Sequence, residues 1–300
     1  MIVVKLRGGI GNQMFQYAIG RRLSLLNKVP LKFDIEIYKT DIGRKYSLGA
    51  FAIEEHFATA HEIKRLSLSD KGIFKKVFNR LQGKKAQMPA SYFCEKQPFH
   101  FDPEVFTHSV PLYLDGYFQS EKYFTDIEAV IRNDFTVKAP LSNINKELHA
   151  LITETGSVSV HIRRGDYVTS KSVNNEFGVL PLDYYRKGVE ILESEGVKPH
   201  IFLFSDDPVW CKENFKINVA VHFIEANSPD CAYEDLRLMS ACKHHIIANS
   251  SFSWWGAWLG NYAEKKVIAP ARWFRSTKYD TRDLIPAKWK LIYTKLHSFD

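Results

Sequence analysis

The sequence has few of the features that mark secreted, membrane-spanning or zinc-binding proteins. It contains four cysteines in 300 residues, and no two of them form a Cys-x-x-Cys pair. This spacing matches neither a zinc site nor a small disulfide framework, so we expect free thiols in a reducing compartment. No stretch approaches the roughly 18 apolar residues that a membrane span needs, and the first residues show no signal peptide. These absences indicate a cytoplasmic protein.

Two cofactor motifs are also missing. No Asp-x-Asp pair, which could hold a diphosphate-bound cation, occurs in the chain. The glycine-rich turn has Met14 where the dinucleotide fingerprint requires its third glycine. No plausible carboxylate for a ribose follows Leu26. An NAD-dependent oxidoreductase is therefore disfavoured, and we expect no cofactor and no required metal.

Apolar and aromatic residues are plentiful, at 45% and 14% of the chain. The 300 residues suffice for two domains of about 150 residues each. We place the boundary at residues 139–142, which gives domains 1–140 and 141–300 and lets the C-terminal segment pack back on the first domain. The net charge of +7 favours an acidic partner, whether a nucleotide, a phospholipid or a nucleic acid.

The first half opens with a strand, a glycine-rich turn and a helix. Residues 2–6 have a strand pattern, and apolar residues then recur at a helical period from Phe15 to Leu26. Glycines in the turn let backbone approach a ligand, and a helix N-terminus favours an anion. The alternative is a tight turn capped by Asn12. The adjacent amides of Asn12 and Gln13 favour a ligand site.

Residues 61–88 combine an apolar stripe with a basic face, which predicts an amphipathic helix. Such a helix usually packs on its own domain with its charges in solvent. The same pattern is typical of a helix on an anionic membrane surface, so peripheral membrane contact is the second interpretation.

Residues 112–124 hold a short strand followed by aromatic side chains, with Gln119 and Glu121 among them. This mixture suits contact with a sugar ring, and it is equally typical of an aromatic core. A further strand is predicted to end at Val137.

The second half repeats a strand followed by a helix, and polar clusters follow three of the strands. The three strands are predicted at residues 158–162, 201–204 and 246–248; their clusters are His161, Arg163, Arg164 and Asp166, then Asp206 and Asp207, then Ser250, Ser251 and Ser253. Further strands are expected at residues 221–224 and 266–269, with helices from Pro181 to Gly196 and after Ser228 and an aperiodic loop at residues 167–180. The tryptophans at 254, 255 and 258 are expected in the core.

Parallel strands joined by helices place these clusters on one edge of the sheet, where α/β proteins bind ligands. Two adjacent guanidinium groups offer rigid donors for phosphate oxygens. A salt bridge that only braces the loop is the alternative, and it explains one arginine better than two. We predict a nucleotide site in which arginines and serines hold a diphosphate and a carboxylate receives a guanine edge.

Four blocks carry a resemblance to a known family. They read GGIGNQMFQYAIGRRL, HIRRGDYV, FSDD and NSSFSWWGAWL, and they span nearly the whole chain in the family's order. The chain resembles the α-1,2-fucosyltransferases of glycosyltransferase family 11. The HxRRxD core is shared with α-1,6- and protein O-fucosyltransferases, whereas the first and last blocks are more particular to the α-1,2 group. Animal members carry an amino-terminal membrane anchor that is not seen here, which favours a bacterial-type cytoplasmic enzyme.

The resemblance implies a GT-B-like α/β fold, with two Rossmann-like parallel-sheet domains facing across a cleft. It implies inverting transfer of L-fucose from GDP-β-L-fucose, without a metal, to the 2-hydroxyl of a terminal β-galactoside in an oligosaccharide or a lipid-linked glycan. Domain 1–140 would lie on the acceptor side, and domain 141–300 would bind GDP-fucose. An α-1,6 or α-1,3 linkage is the alternative, followed by a non-fucosyl nucleotide-binding α/β enzyme.

Residue roles also follow from the resemblance. Arg163 and Arg164 would hold the diphosphate. The chemistry of the reaction, rather than the resemblance, makes Arg163 our choice for stabilising the charge that develops on the phosphate, and Asp166 would either brace the loop or take the acceptor proton. His161, with Asp206 or Asp207, would address the guanosine. Further donor contacts are implied for Ser250, Ser251 and Ser253 and, from the first domain, for Gly11, Asn12 and Gln13, and the acceptor-side candidates are Gln119 and Glu121.

Two other functional classes fit the residues less well. A non-catalytic sugar-binding module would not need two arginines at a strand end. The net charge permits nucleic-acid binding, but the basic residues cluster in one helix without a recognisable binding motif, so we expect no nucleic-acid partner.

Overall fold

The computed structural model describes residues 1–41, 43–67 and 89–297. The chain divides into two compact units. Unit 1 consists of Met1–Thr136 and Arg282–Leu284, and unit 2 consists of Val137–Thr281 and Ile285–Asp300. The short segment Arg282–Leu284 therefore belongs to unit 1 although unit 2 surrounds it in sequence.

Unit 1 is built on a four-stranded parallel sheet. Its strands are β1 (Ile2–Lys5), β2 (Leu31–Asp34), β3 (Tyr92–Cys94) and β4 (Leu112–Asp115), in the order β2-β1-β4-β3. Its helices in the described residues are α1 (Ile10–Asn27), α2 (Ala60–Leu66) and α3 (Glu128–Asp134). The glycine-rich turn connects β1 to helix α1, and it therefore lies at the carboxyl edge of this sheet.

Unit 2 is built on a six-stranded parallel sheet in the order β10-β9-β8-β5-β6-β7. The strands are β5 (Ser157–Ile162), β6 (His200–Ser205), β7 (Ala220–Phe223), β8 (His244–Ile246), β9 (Val267–Pro270) and β10 (Lys290–Ile292). The helices are α4 (Asn143–Glu154), α5 (Gly165–Thr169), α6 (Lys171–Phe177), α7 (Leu182–Ser194), α8 (Pro208–Asn214), α9 (Ala232–Ala241) and α10 (Ser251–Leu259).

Hydrophobic residues on both faces hold the sheet of unit 2 in place. Successive side chains of a strand point to opposite faces. In β6, Ile201 and Leu203 join one core cluster, which also includes Val189 of α7. Phe202 joins another cluster, which includes Leu238 of α9. Burial on both faces explains why β6 has a nearly continuous apolar sequence from Ile201 to Phe204.

The predicted α/β class with two parallel sheets is confirmed. The strands expected at residues 2–6, 158–162 and 201–204 and the first strand of the 112–124 stretch are present, and the three tryptophans of α10 are buried. Pro181 and Gly196 flank α7 as expected, and Gly196 has a left-handed backbone with φ of +84°.

Other predictions of local structure were wrong. No strand ends at Val137, because Glu128–Asp134 forms helix α3 just before it. Residues 167–180 contain parts of the two short helices α5 and α6, which are too short to show a helical period. Strand β8 covers His244–Ile246 rather than residues 246–248. Strands β2, β3 and β10 were not anticipated.

Most of the predicted basic helix lies outside the described residues. Helix α2 covers its beginning, and residues 68–88 are not described. Within the described part of the chain, no helix is both long and apolar enough to cross a membrane.

Candidate functional site

The three polar clusters of unit 2 follow three neighbouring strands of its sheet. Strand β5 pairs with β8 on one side and with β6 on the other, all in parallel. The residues after β8, β5 and β6 therefore leave the same edge of the sheet, as expected for a ligand site. Strand β5 is buried throughout, so the loop that follows it is carried by a rigid element.

Arg163, the first residue after β5, lies between two carboxylates. Its Nη2 is 2.5 Å from Asp166 Oδ1, and its Nη1 is 2.8 Å from Asp206 Oδ2. The guanidinium carbon also lies 5.4 Å from the ring centroid of Tyr167. Burial lowers the pKa of Arg163, but the charges of Asp206 and Asp166 outweigh burial and raise the pKa overall. The guanidinium is therefore permanently charged and held from two sides.

Arg164 is more deeply buried, with 7% of its surface exposed. Its backbone N–H donates to Asp206 Oδ1 over 2.8 Å, and its Nε donates to Asp207 Oδ2 over 3.0 Å. Its guanidinium carbon lies 3.5 Å from the ring centroid of Trp210, a close cation–π contact. Asp207 also caps helix α8 by accepting a hydrogen bond from the Trp210 backbone N–H. The side chain of Arg164 is thus fixed by stacking as well as by charge.

Gly165 leaves room for this arrangement. A Cβ atom at residue 165 would lie 2.2 Å from Asp206 Oδ2. Asp206 could then no longer contact both arginines, because any side chain at residue 165 would occupy the space of its carboxylate. The glycine of the HIRRGD block is required by this close approach.

Residues 163–166, which follow β5, form a segment that we call the arginine loop. Together with the two aspartates after β6, it carries more negative than positive charge. Arg163 and Arg164 face Asp166, Asp206 and Asp207, which gives these five side chains a net charge of −1. These five side chains therefore offer an anion no excess positive charge. What they offer is directed N–H donors, of which each guanidinium group has five in a fixed plane.

His161 is buried in β5, and its ring centroid lies 5.6 Å from that of Phe252. Burial and the nearby charge of Arg163 lower the pKa of His161 to about 3. The imidazole is therefore neutral near neutral pH, and its buried Nδ1 has no hydrogen-bond partner among the residues that the structure describes.

The serines after β8 belong to the start of helix α10. The hydroxyl of Ser250 accepts a hydrogen bond from the Phe252 backbone N–H over 3.3 Å, and the hydroxyl of Ser253 donates to the Ser250 carbonyl over 3.3 Å. Ser251 is the first residue of the helix. The structure thus places all three at a helix N-terminus, a position that favours anions, and their contacts with phosphate stay a prediction.

The glycine-rich turn of unit 1 is organised by amide side chains. Gln13 is buried; its Nε2 donates to the carbonyls of Gly8 and Lys45, and its Oε1 accepts from the Ser47 backbone N–H. Gln13 therefore braces the turn, and any effect of this side chain on a donor would be indirect. Gly11 is a buried residue in the first turn of α1.

Two residues predicted for different roles in unit 1 contact each other. Gln119 Nε2 donates to Asn12 Oδ1 over 2.7 Å, so the acceptor-side candidate and the donor-side candidate form one amide pair. Gly8, at φ of +77°, makes room beneath Asn12, because a Cβ at residue 8 would lie 2.5 Å from Asn12 Nδ2. Glu121 begins the short 3₁₀ helix Glu121–Tyr123.

Sequence reasoning missed several residues that build these sites. Tyr167 and Trp210 contact the two arginines. Asn249, which is buried and follows β8, donates hydrogen bonds to the carbonyls of Phe177 and Trp273. Asn249 was visible as the first residue of the NSSFS cluster. Trp210 carried no such signal, because its position depends on the start of helix α8.

Comparison with known proteins gives matches over nearly the whole chain. A family model described as "Glycosyl transferase family 11" matches residues 1–292. An Escherichia coli protein named "Alpha-1,2-colitosyltransferase" is 37% identical over an alignment of 303 residues, gaps included, that covers 96% of this chain and 98% of that protein. The E. coli "O-antigen biosynthesis glycosyltransferase WbnK" is 33% identical, covering 90% of this chain and 93% of that protein. The human "Galactoside alpha-(1,2)-fucosyltransferase 1" is 25% identical, covering 84% and 63%.

Solved structures also resemble the chain. A structure of the NodZ alpha-1,6-fucosyltransferase soaked with GDP-fucose has 15% identity and a TM-score of 0.46, with 86% of this chain and 91% of that chain covered. The E. coli ADP-heptose lps heptosyltransferase II has 14% identity and a TM-score of 0.43, with 97% and 89% covered.

Proposed function

The chain belongs to glycosyl transferase family 11, and on that premise we propose that it transfers L-fucose from GDP-β-L-fucose to the 2-hydroxyl of a terminal β-galactoside, with inversion. The acceptor would be an oligosaccharide or a lipid-linked glycan. Relatives named for α-1,2 transfer of colitose or fucose support the linkage.

The observation that carries the proposal is the arginine loop at the carboxyl edge of the unit 2 sheet. Departure of GDP leaves negative charge on the β-phosphate, while the sugar ring becomes cation-like. Donors that are already oriented in a water-poor site stabilise such charge without reorganising during the reaction. Arg163 is held between Asp166 and Asp206 in the way that this role requires.

The other residues of the loop have supporting roles in this proposal. Arg164, stacked on Trp210, adds diphosphate contacts and fixes the position of the arginine loop. Asp206 and Asp207 act mainly by positioning the two arginines, and they address the guanosine only with the oxygen lone pairs that remain. His161, which is neutral, lies near the same carboxyl edge of the unit 2 sheet and adds no positive charge there.

Colitose is the second candidate for the transferred sugar. Colitose is L-fucose without its 3-hydroxyl group, and the relative named for its transfer is 37% identical over nearly the full length of both chains. The two donors share the diphosphate and the guanosine, so the arginine loop serves both equally. The discrimination must come from residues around the sugar ring.

We expect the purified protein to transfer fucose to galactosides. The experiment offers GDP-fucose and its 3-deoxy analogue, GDP-colitose, with a panel of terminal β-galactosides, followed by linkage analysis of the product. The expected product is linked to the 2-hydroxyl of galactose. An α-1,6 or α-1,3 product would reject the regiochemistry, and transfer of colitose alone would reassign the donor. If neither GDP-fucose nor GDP-colitose is transferred to any acceptor of the panel, the proposal is rejected.

We also expect the transfer to need no divalent metal. The guanidinium groups can stabilise the diphosphate charge that a cation would otherwise cover. Initial rates should agree within about twofold with and without excess EDTA, since no step would depend on a cation. Activity that collapses in EDTA and returns with manganese would contradict this expectation.

A further inference from the structure

The loop of residues 116–120 follows β4 and lies against the glycine-rich turn of unit 1. The Gly116 carbonyl accepts a hydrogen bond from Gln16 Nε2 over 3.2 Å, and Gln119 contributes its amide to the pair with Asn12. Between these two points, the ring of Tyr117 lies 4.5 Å from the guanidinium carbon of Arg7. The geometry of the Asn12 amide therefore depends on this loop.

A single buried carboxylate, that of Glu95, holds the 116–120 loop from behind. Glu95 directly follows β3 and is 9% exposed. Its Oε2 accepts from the Tyr117 backbone N–H over 2.7 Å, and its Oε1 accepts from the Phe118 N–H over 3.0 Å. Phe118 has a φ of +52°, a left-handed backbone that a bulky residue rarely adopts without support.

Gly116 makes the approach of Glu95 possible. A Cβ at residue 116 would lie 2.5 Å from Glu95 Cβ. Strand β3, the loop and the carboxylate are thus fitted to one another, and both oxygens of Glu95 are used on the loop.

We infer that Glu95 is a positioning residue for the transfer reaction, and that it sets the Asn12–Gln119 amide pair through the 116–120 loop. The inference rests on the proposed function and on the donor contact that the family resemblance implies for Asn12. Glu95 itself is buried behind the loop and acts through these residues rather than by touching a substrate.

The ionised form of Glu95 is the form that holds the loop. The backbone N–H groups of Tyr117 and Phe118 in the loop face its two oxygens, and the Phe99 N–H also donates to this carboxylate. A protonated carboxyl uses one oxygen as a donor and accepts poorly there. The charged or titratable groups that act on it are Arg7 in the turn after β1, Cys94 at the end of β3 and Tyr123 of the 3₁₀ helix. Burial raises the pKa of Glu95 to about 7, against the lowering effect of the backbone N–H groups and of Arg7.

The sign of the pH effect follows from that ionised form. Above pH 7 the carboxylate is charged and the loop is held, whereas below pH 7 the proton weakens the contacts to Tyr117 and Phe118. Turnover of the wild-type enzyme should therefore rise with pH through about 7.

The test compares Glu95→Gln with Glu104→Gln in the full-length protein, using GDP-fucose and the best galactoside at a series of pH values. A glutamine at 95 can accept only one of the two N–H groups and turns an NH₂ toward the other. We expect kcat to fall roughly ten- to a hundredfold, because misplaced catalytic groups cost that much. We also expect the rise of turnover with pH near 7 to disappear. Glu104 pairs with Lys96 on the surface, so its variant should keep the wild-type profile.

A second measurement does not depend on catalysis. Hydrogen exchange of the Tyr117 and Phe118 amides in the wild-type protein should lose protection below pH 7, beyond the intrinsic effect of pH on exchange. Constant protection, or a Glu95→Gln enzyme with unchanged turnover and the same pH limb, would overturn the inference. Wild-type protein that transfers no sugar would instead reject the proposed function, and the exchange experiment would still report on Glu95.

Discussion

Replacing Arg163 by lysine is expected to lower kcat about a hundred- to a thousandfold, which corresponds to roughly 2.7–4 kcal/mol for the loss of one oriented donor at a developing charge. The effect should fall on kcat more than on the affinity for GDP. An interaction that strengthens in the transition state accelerates the reaction, whereas one that binds both states equally does not.

The reason that lysine fails is geometric. Arg163 contacts Asp166 through one terminal nitrogen and Asp206 through the other, and these contacts fix the plane of its donors. A lysine has a single ammonium group on a flexible stem, so it cannot reach both carboxylates and present a fixed fork to a phosphate. Its charge is kept, but its orientation is lost.

The measurement is steady-state kinetics together with GDP binding in folded protein. Arg186→Lys is the matched control, because Arg186 forms a surface pair with Asp183 in the same unit and should keep full turnover. Asp166→Asn should cost less than Arg163→Lys, since Asp206 still holds Arg163. Near-normal turnover of Arg163→Lys would show the assignment to be wrong, and a loss in Asp166→Asn as large as that of Arg163→Lys would favour Asp166 as the base.

Gly165→Ala is expected to reduce turnover by about a hundredfold or more, although it adds only one methyl group. The new Cβ would lie 2.2 Å from Asp206 Oδ2, so the carboxylate has to move. Asp206 holds the backbone of Arg164 as well as the guanidinium of Arg163, and its displacement disturbs both arginines. Errors of about 1 Å in such groups cost roughly a hundredfold in rate.

The control separates a displaced site from a destabilised protein. Gly196→Ala places a side chain at φ of +84°, where no atom of the described residues beyond the chain neighbours lies within 4 Å of the new Cβ. It therefore strains the backbone by about 1–2 kcal/mol without touching the arginine loop. Its turnover per folded molecule should match wild type. If Gly165→Ala retains wild-type turnover as well, or if both variants lose activity only in proportion to unfolding, the role given to Gly165 is refuted.

The sequence was sufficient to place the arginine loop. The strand patterns at residues 158–162 and 201–204 could be recognised, and residues after parallel strands must leave the same sheet edge. The placement of Arg163, Asp206 and Ser250 at one edge therefore followed from pattern alone. The family resemblance also rests on these blocks, because they keep their order along the chain.

The pairing of charges could not be read in the same way. Which aspartate meets which arginine depends on side-chain directions that short spacing does not specify, and the stacking of Arg164 on Trp210 depends on where helix α8 begins. Glu95 was overlooked because an isolated glutamate after a three-residue strand shows no pattern. Its importance arises only when the 116–120 loop is folded over it.

The segment Arg282–Leu284 has a consequence for biosynthesis. Asp283 accepts hydrogen bonds from the Phe101 backbone N–H and from Lys122 Nζ, so unit 1 obtains one of its internal partners from near the end of the chain. Roughly 145 residues separate Thr136 from this segment, and a ribosome needs about 7–30 s to add them. A nascent chain therefore carries an incomplete unit 1 while Val137–Thr281 of unit 2 is being synthesised. A fragment cut at Thr136 lacks the same carboxylate permanently, so an isolated first half is an imperfect substitute for unit 1 of the whole enzyme.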